Sequence, residues 1–239
     1  MRVSPFRRPH ADREESILTD PLPLFPLGTV LFPGMVLPLH IFEERYRTMV
    51  ARRLNIDPML GVVLIRSGRE VGDRPETHAI GTAASLLTVV QYGDGRYDIA
   101  VRGGQRFEVI DGAWDEGYLT GTVERLPDAD SAEDPSGRMA RLVDVVGRAF
   151  NRYLDALQRI ANIQVEHVEL GNDPVAAAYA ICSMMPFSTT QRQRLLEAAT
   201  PQPLLDDLLA TLRRERDLLV STGIGGAAVD HPGKRFTTN

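Results

Sequence analysis

Lysine is almost missing from this 239-residue chain: of its 27 basic residues only Lys234 is lysine, and the other 26 are arginine. One lysine cannot serve both as the lysine of a phosphate-binding loop and as the partner of a catalytic serine. Cysteine is equally scarce. Cys182 stands alone, so no intrachain disulfide can form, and a reducing, cytoplasmic setting is the expectation. It sits in Ala-Tyr-Ala-Ile-Cys-Ser-Met-Met, among apolar neighbours, and reads as a small hydrophobe rather than a nucleophile. Long apolar runs are absent too. Nothing is long enough to span a bilayer, and residues 1–20 mix arginines with acids around no apolar segment, so neither a membrane span nor a secretory signal is expected. Net positive charge is lacking: the formal balance is −5 and the isoelectric point about 5.6, which weighs against nucleic acid as a partner.

Catalytic and metal motifs are missing as well. The five histidines, His10, His40, His78, His167 and His231, include no pair at metal-ligand spacing, so no metal and no cofactor are expected. Glu166-His167-Val168-Glu169 has the wrong order for a zinc-protease helix and reads as an exposed polar strand or loop. His40, between Leu39 and Ile41, reads as a structural histidine with a satisfied ring. Gly233-Lys234 is followed by Arg235, and Ala228 stands where a phosphate loop needs its first glycine. The Gly-x-Ser-x-Gly elbow of serine hydrolases is absent. No enzyme is expected.

What is present divides in two. The first half reads as strands and turns. Leu22 to Leu27 carries three nearby prolines and predicts an edge or irregular strand. Pro33-Gly34 marks a turn, Met35 to Phe42 is extended, and Glu43 to Leu54 switches to helical spacing. Strand signals return over Met59–Arg66 and Ala79–Tyr92, and Asp94-Gly95 predicts a hairpin into Tyr97–Val101. Two further strands are predicted over Phe107–Ile110 and Tyr118–Leu126. Many short strands predict a twisted sheet or partly closed barrel.

The second half is helical. Asp134-Pro135 predicts a helix start, ahead of an apolar stripe formed by Met139, Leu142, Val143, Val146, Phe150, Tyr153, Leu154 and Leu157. Asp173-Pro174 starts a second helix that Pro186 stops, Ser188 and Gln191 form a capping box for a third, and Thr200-Pro201 opens the last. The expected organisation is a flexible start at 1–20, a β-rich subdomain at 21–126, a linker at 127–135, a helical subdomain at 136–221 and a flexible tail at 222–239. The fold class is α+β.

One segment is specific enough to suggest a family. Leu24-Phe-Pro-Leu27, Val30-Leu-Phe-Pro-Gly34 and Pro38-Leu-His-Ile-Phe-Glu43 resemble, in order, the opening of the Lon protease N-terminal substrate-binding domain. Ile80-Gly-Thr, Asp94-Gly-Arg-Tyr, Gly104-Gln-Arg-Phe and Gln193-Arg-Leu-Leu-Glu fall where that family has similar motifs, so the resemblance spans about residues 21–221. It implies a PUA-like pseudo-barrel subdomain followed by a helical bundle, in a stand-alone member without the ATPase and peptidase domains. It also implies protein or peptide recognition, with unfolded or degron-bearing segments or a folded protein as partner, and an adaptor role for a separate protease or chaperone. The alternatives are RNA binding, suggested only by the PUA-like relationship, and an uncharacterised hydrolase, which no residue supports. Met35, Met184, Met185 and Phe187 are the candidate peptide-binding residues, because methionine adapts to varied partners; the competing reading of each is core packing.

Overall fold

The computed structural model describes residues 21–115, 117–126, 137–167, 171, 173–198 and 200–222. The expected flexible start, the 127–135 linker with its Asp134-Pro135 helix start, Val168, Glu169 and Lys234 lie outside the described residues. The chain divides at Asp128 and Ala129 into two compact units.

The first unit carries six strands and one helix: β1 (Leu22–Leu27), β2 (Val36–Ile41), α1 (Glu44–Asn55), β3 (Met59–Ser67), β4 (Glu76–Gln91), β5 (Tyr97–Asp115) and β6 (Tyr118–Arg125). They form one mixed sheet in the order β2-β5-β4-β3-β1-β6, and β6 pairs again with β5, so five strands close into a ring with β2 outside it. Only β1 and β3 run parallel; the other pairings are antiparallel.

Two strand expectations need correction. β1 is no edge: it lies between β3 and β6, and all six of its residues are buried. Its prolines are tolerated because the pairing is staggered. Pro23 falls where only β6 is alongside, and Pro26 where only β3 is, so a missing N–H can face the unpaired side. The second correction is that Tyr97–Val101 and Phe107–Ile110 belong to one strand of 19 residues. Gly103 does not break it. The preceding loop approaches there so closely that a Cβ would lie 2.1 Å from the Phe32 carbonyl oxygen. Gly34 donates to the Gly103 carbonyl at 2.8 Å and Gly103 to that of Met35 at 2.9 Å, while the Thr82 hydroxyl donates to the Leu31 carbonyl at 2.6 Å.

The ring closes around small residues. A Cβ on Gly61 or Gly81 would sit 2.7 or 2.8 Å from the Phe107 ring, so glycine there makes room for the phenyl group. Phe107 clusters with Leu22, Leu24, Val63, Leu119 and Val123. A second cluster joins Phe25, Leu37, Ile41, Val62, Ile99 and Val101 to the buried face of α1, Tyr46, Met49 and Val50. Among the described residues no strand covers the outer edge of β2. The Gly103-to-Met35 bond sets the phase of the β2–β5 ladder, so the nitrogens of Val36, Pro38 and His40 face away from β5. Pro38, midway, has no N–H to offer.

The second unit holds α2 (Arg138–Ala161), α3 (Pro174–Met184), α4 (Thr189–Glu197) and α5 (Pro201–Thr222). The α2 stripe is buried at Val143, Val146, Phe150, Tyr153 and Leu154 and half-buried at its ends, and it packs on α5 and α3. Asp173 caps α3 through Val175 and Ala176 N–H, with Pro174 in its first turn, and the Ser188–Gln191 capping box is formed. Arg192, buried, donates to the carbonyls of Cys182 at 3.1 Å and Met185 at 3.5 Å, which satisfies the end of α3. Cys182 is fully buried, and burial pushes its thiol up to about 12.

Candidate functional site

Alternation along β2 puts Leu37, Leu39 and Ile41 toward the core and Val36, Pro38 and His40 on the other face. The register sets His40 opposite Asp98 on β5. The Asp94-Gly95 hairpin brings the exposed Tyr92 against Arg96, with Tyr92 N–H bonded to the Arg96 carbonyl at 2.9 Å. Phe42, just past β2, is 49% exposed and Tyr92 is 39% exposed. These residues meet. The His40 ring stacks near Phe42 at 6.2 Å between centroids, and Tyr92 stands edgewise to it at 6.4 Å.

A carboxylate fixes the platform. His40 Nδ1 lies 2.6 Å from Asp98 Oδ1, and the Tyr92 hydroxyl donates to Asp98 Oδ2. The Tyr92 bond, then the His40 bond, hold the Asp98 carboxyl below the usual aspartate range, and the same bond pushes the Tyr92 phenol up. Arg96 lies over the Tyr92 ring at 5.9 Å and pairs with Asp94 at 2.7 Å. His40 is thus a histidine with a satisfied ring, as expected.

A second polar cluster sits at the start of α1. Arg45 pairs with Glu43 at 3.0 Å, donates to the carbonyls of Asp73 at 2.5 Å and Glu70 at 3.2 Å, and lies over the rings of Tyr46 and Trp114. Glu43 accepts from Gly72 N–H at 3.1 Å. Burial, chiefly, raises the Tyr46 phenol to about 12. The open depression beside this cluster, about 560 Å³, is lined by Glu43, Glu44, Arg45, Thr48 and Gly72. Its central arginine is already held on all sides, so the cluster ties the 70–73 loop to α1.

The residues chosen from sequence do not gather. Met35 is half-buried against the barrel core. Met185 and Phe187 are only 3% and 6% exposed, whereas Met184, one residue earlier than Met185, is 50% exposed. Phe42, Tyr92, Asp98 and Arg96 were missed by sequence reasoning. The signal was there in the outward set of β2 and in the aromatic residue beside the Asp-Gly turn. His167 pairs with Asp155 at 2.8 Å on an exposed segment. Among the described residues, no group of three or more His, Cys, Asp or Glu side chains could hold a metal, and no helix is long and apolar enough to cross a membrane.

Comparison with known proteins agrees with this layout. The chain is 26% identical over 193 residues to Lon protease 1 of Hydrogenovibrio crunogenus, covering 80% of this chain and 23% of that protein. It is 28% identical over 215 residues to Lon protease 2 of Herpetosiphon aurantiacus, covering 87% and 25%. The chain therefore spans about a quarter of the curated relatives it matches. Among solved structures, the Lon N-terminal domain protein from Xanthomonas campestris aligns with a TM-score of 0.59 at 28% identity, covering 80% of this chain and 98% of that one. The N-terminal domain of a Mycobacterium avium complex Lon protease shares the fold at 19% identity and the same TM-score. Residues 21–214 match the ATP-dependent protease La (LON) substrate-binding domain, and the chain belongs to that family.

Proposed function

We propose that this chain is a non-catalytic recognition module that takes unfolded or degron-bearing segments of other proteins and serves as an adaptor for a separate protease or chaperone. The observation that carries this reading is that two large exposed aromatic rings, Phe42 and Tyr92, each stand against the ring of His40 on the sheet, in a member of a substrate-binding family. An isolated exposed ring is ordinary surface, but rings grouped about a histidine that is itself held by hydrogen bonds are preorganised for contact. The relatives' names describe whole proteases; what comes to this chain is their recognition step. A reducing compartment suits its single buried thiol.

Titration of a labelled unfolded protein and a labelled RNA, each at low and high salt, tests the reading. Unfolded protein is expected to bind with modest affinity, because ordering a flexible segment offsets much of the apolar burial. That binding is expected to persist in salt. Binding of RNA alone, falling steeply as salt rises, would replace protein recognition with phosphate recognition.

A further inference from the structure

The platform carries a charge that nothing near it fully answers. Asp98 is held ionised by a phenol and an imidazole, and its side chain is 47% exposed. Each of its oxygens accepts one of these bonds and keeps a further lone pair for a new donor. Arg96, the nearby arginine acting on Asp98, is committed elsewhere: its Nε binds Asp94 at 2.7 Å, and its backbone N–H binds the same carboxylate at 3.1 Å. Placing the imidazole proton on Nδ1, toward Asp98, leaves Nε2 as an acceptor 3.5 Å from Arg96 Nη1. Asp94 and Asp98 thus share the Arg96 guanidinium, and the His40 ring that binds Asp98 is the one that stands near Phe42.

We propose that the Phe42–His40–Tyr92 platform with Asp98 docks extended protein segments in which an arginine or lysine stands next to an apolar side chain. The site rests on the recognition role proposed above and names what that role would select. The basic group completes the Asp98 carboxylate through a charge-assisted hydrogen bond and lies against an aromatic face. The neighbouring apolar side chain covers the remaining ring surface. Neither contact suffices alone, since an exposed ion pair contributes little and a single ring buries little area.

Val36 and Pro38, both exposed, continue the same face along β2 for roughly 20 Å from Val36 to Phe42 at strand spacing, so the occupant is a stretch of chain rather than one side chain. Pro38 withholds an outward N–H at the middle of that edge. The segment is therefore gripped by side chains and not added as a seventh strand.

The test uses the full chain and three short labelled peptides: one with leucine and phenylalanine beside arginine, one with glutamate in place of the arginine, and one with arginine but serines for the apolar residues. The arginine–apolar peptide is expected to bind roughly tenfold tighter than either of the others, as paired cation and aromatic contacts imply. Asp98→Asn is expected to bring the arginine and glutamate peptides together, and Phe42→Ser to weaken the best peptide by roughly tenfold. Unchanged melting of both variants confirms that the fold is kept. Equal affinity for the arginine and glutamate peptides, or discrimination that survives Asp98→Asn, overturns the proposal. If peptides bind but ignore both substitutions, the site lies elsewhere and the recognition role stands. If neither the peptides nor a permanently unfolded protein binds, the recognition role falls, and this site with it.

Discussion

The two units treat their aromatic residues in opposite ways. In the helical unit the described aromatic side chains, Phe150, Tyr153, Tyr179 and Phe187, are all buried. In the barrel unit Phe25, Phe32, Tyr97 and Phe107 are buried, while Phe42 and Tyr92 stand in solvent and Trp114 is half-covered. The barrel does not lack room for a core, because glycines at 61 and 81 already make space for Phe107. Its exposed rings are surplus to packing. The helical unit's exposed apolar residues, such as Ile163, Met184 and Val220, are aliphatic. A ring on a fixed strand offers large contact area with few torsions to freeze, which is why the proposed recognition site draws on the rings of the barrel.

Stability measurements can break this contrast most directly. Phe150→Ala is expected to cost about 3–5 kcal/mol, and Phe42→Ala to stay within about 0.5 kcal/mol, both read from denaturant midpoints. Similar costs for the two would mean that Phe42 belongs to a core after all. A smaller effect is expected at Arg192. Replacing it with leucine keeps the site filled but leaves the Cys182 and Met185 carbonyls without their donor, at a cost of about 1–3 kcal/mol. A neutral result would assign the end of α3 to apolar packing alone.

The smallest effect concerns acid. The folded state depresses the Asp98 carboxyl, so its contribution to stability is present above the ordinary aspartate range and is lost as pH falls through the lowered folded value. Wild type and Asp98→Asn should therefore differ at neutral pH by less than about 1 kcal/mol, given exposure to solvent, and converge as the solution is acidified. Divergence on acidification would show that the carboxylate is not stabilised by its two donors.

How far the sequence could be read depends on the range of the contacts. The helical stripe, the Asp173 cap and the Ser188 capping box rest on spacings of a few residues, and each stands where local rules place it. The nearly continuous apolar run at Met59–Arg66 predicts a strand, and β3 stands there, buried on both faces through its middle. Errors came where a distant segment decides. The prolines of β1 look like edge residues until the staggered partners β3 and β6 are known. The stretch between Val101 and Phe107 reads as a gap between two strands until the Phe32 carbonyl is seen against Gly103. The platform failed to show for the same reason: His40 and Asp98 are 58 positions apart and meet only through the β2–β5 register. Met185 and Phe187, flanking Pro186, were open to either reading, contact surface or core, because the sequence does not show which side of a helix end faces its neighbours.

Pro38 has one more consequence, for behaviour at high concentration. A half-open sheet with an intact outer ladder is a template on which copies of the same strand can stack without limit. Here the outer ladder is interrupted at its midpoint, so a strand arriving alongside β2 finds a donor missing where growth would need it. Exposed rings lie at one end of that same strand, and rings are what make such edges sticky. With the proposed docking role, the proline would leave the surface open to side chains while withholding a template for strand stacking.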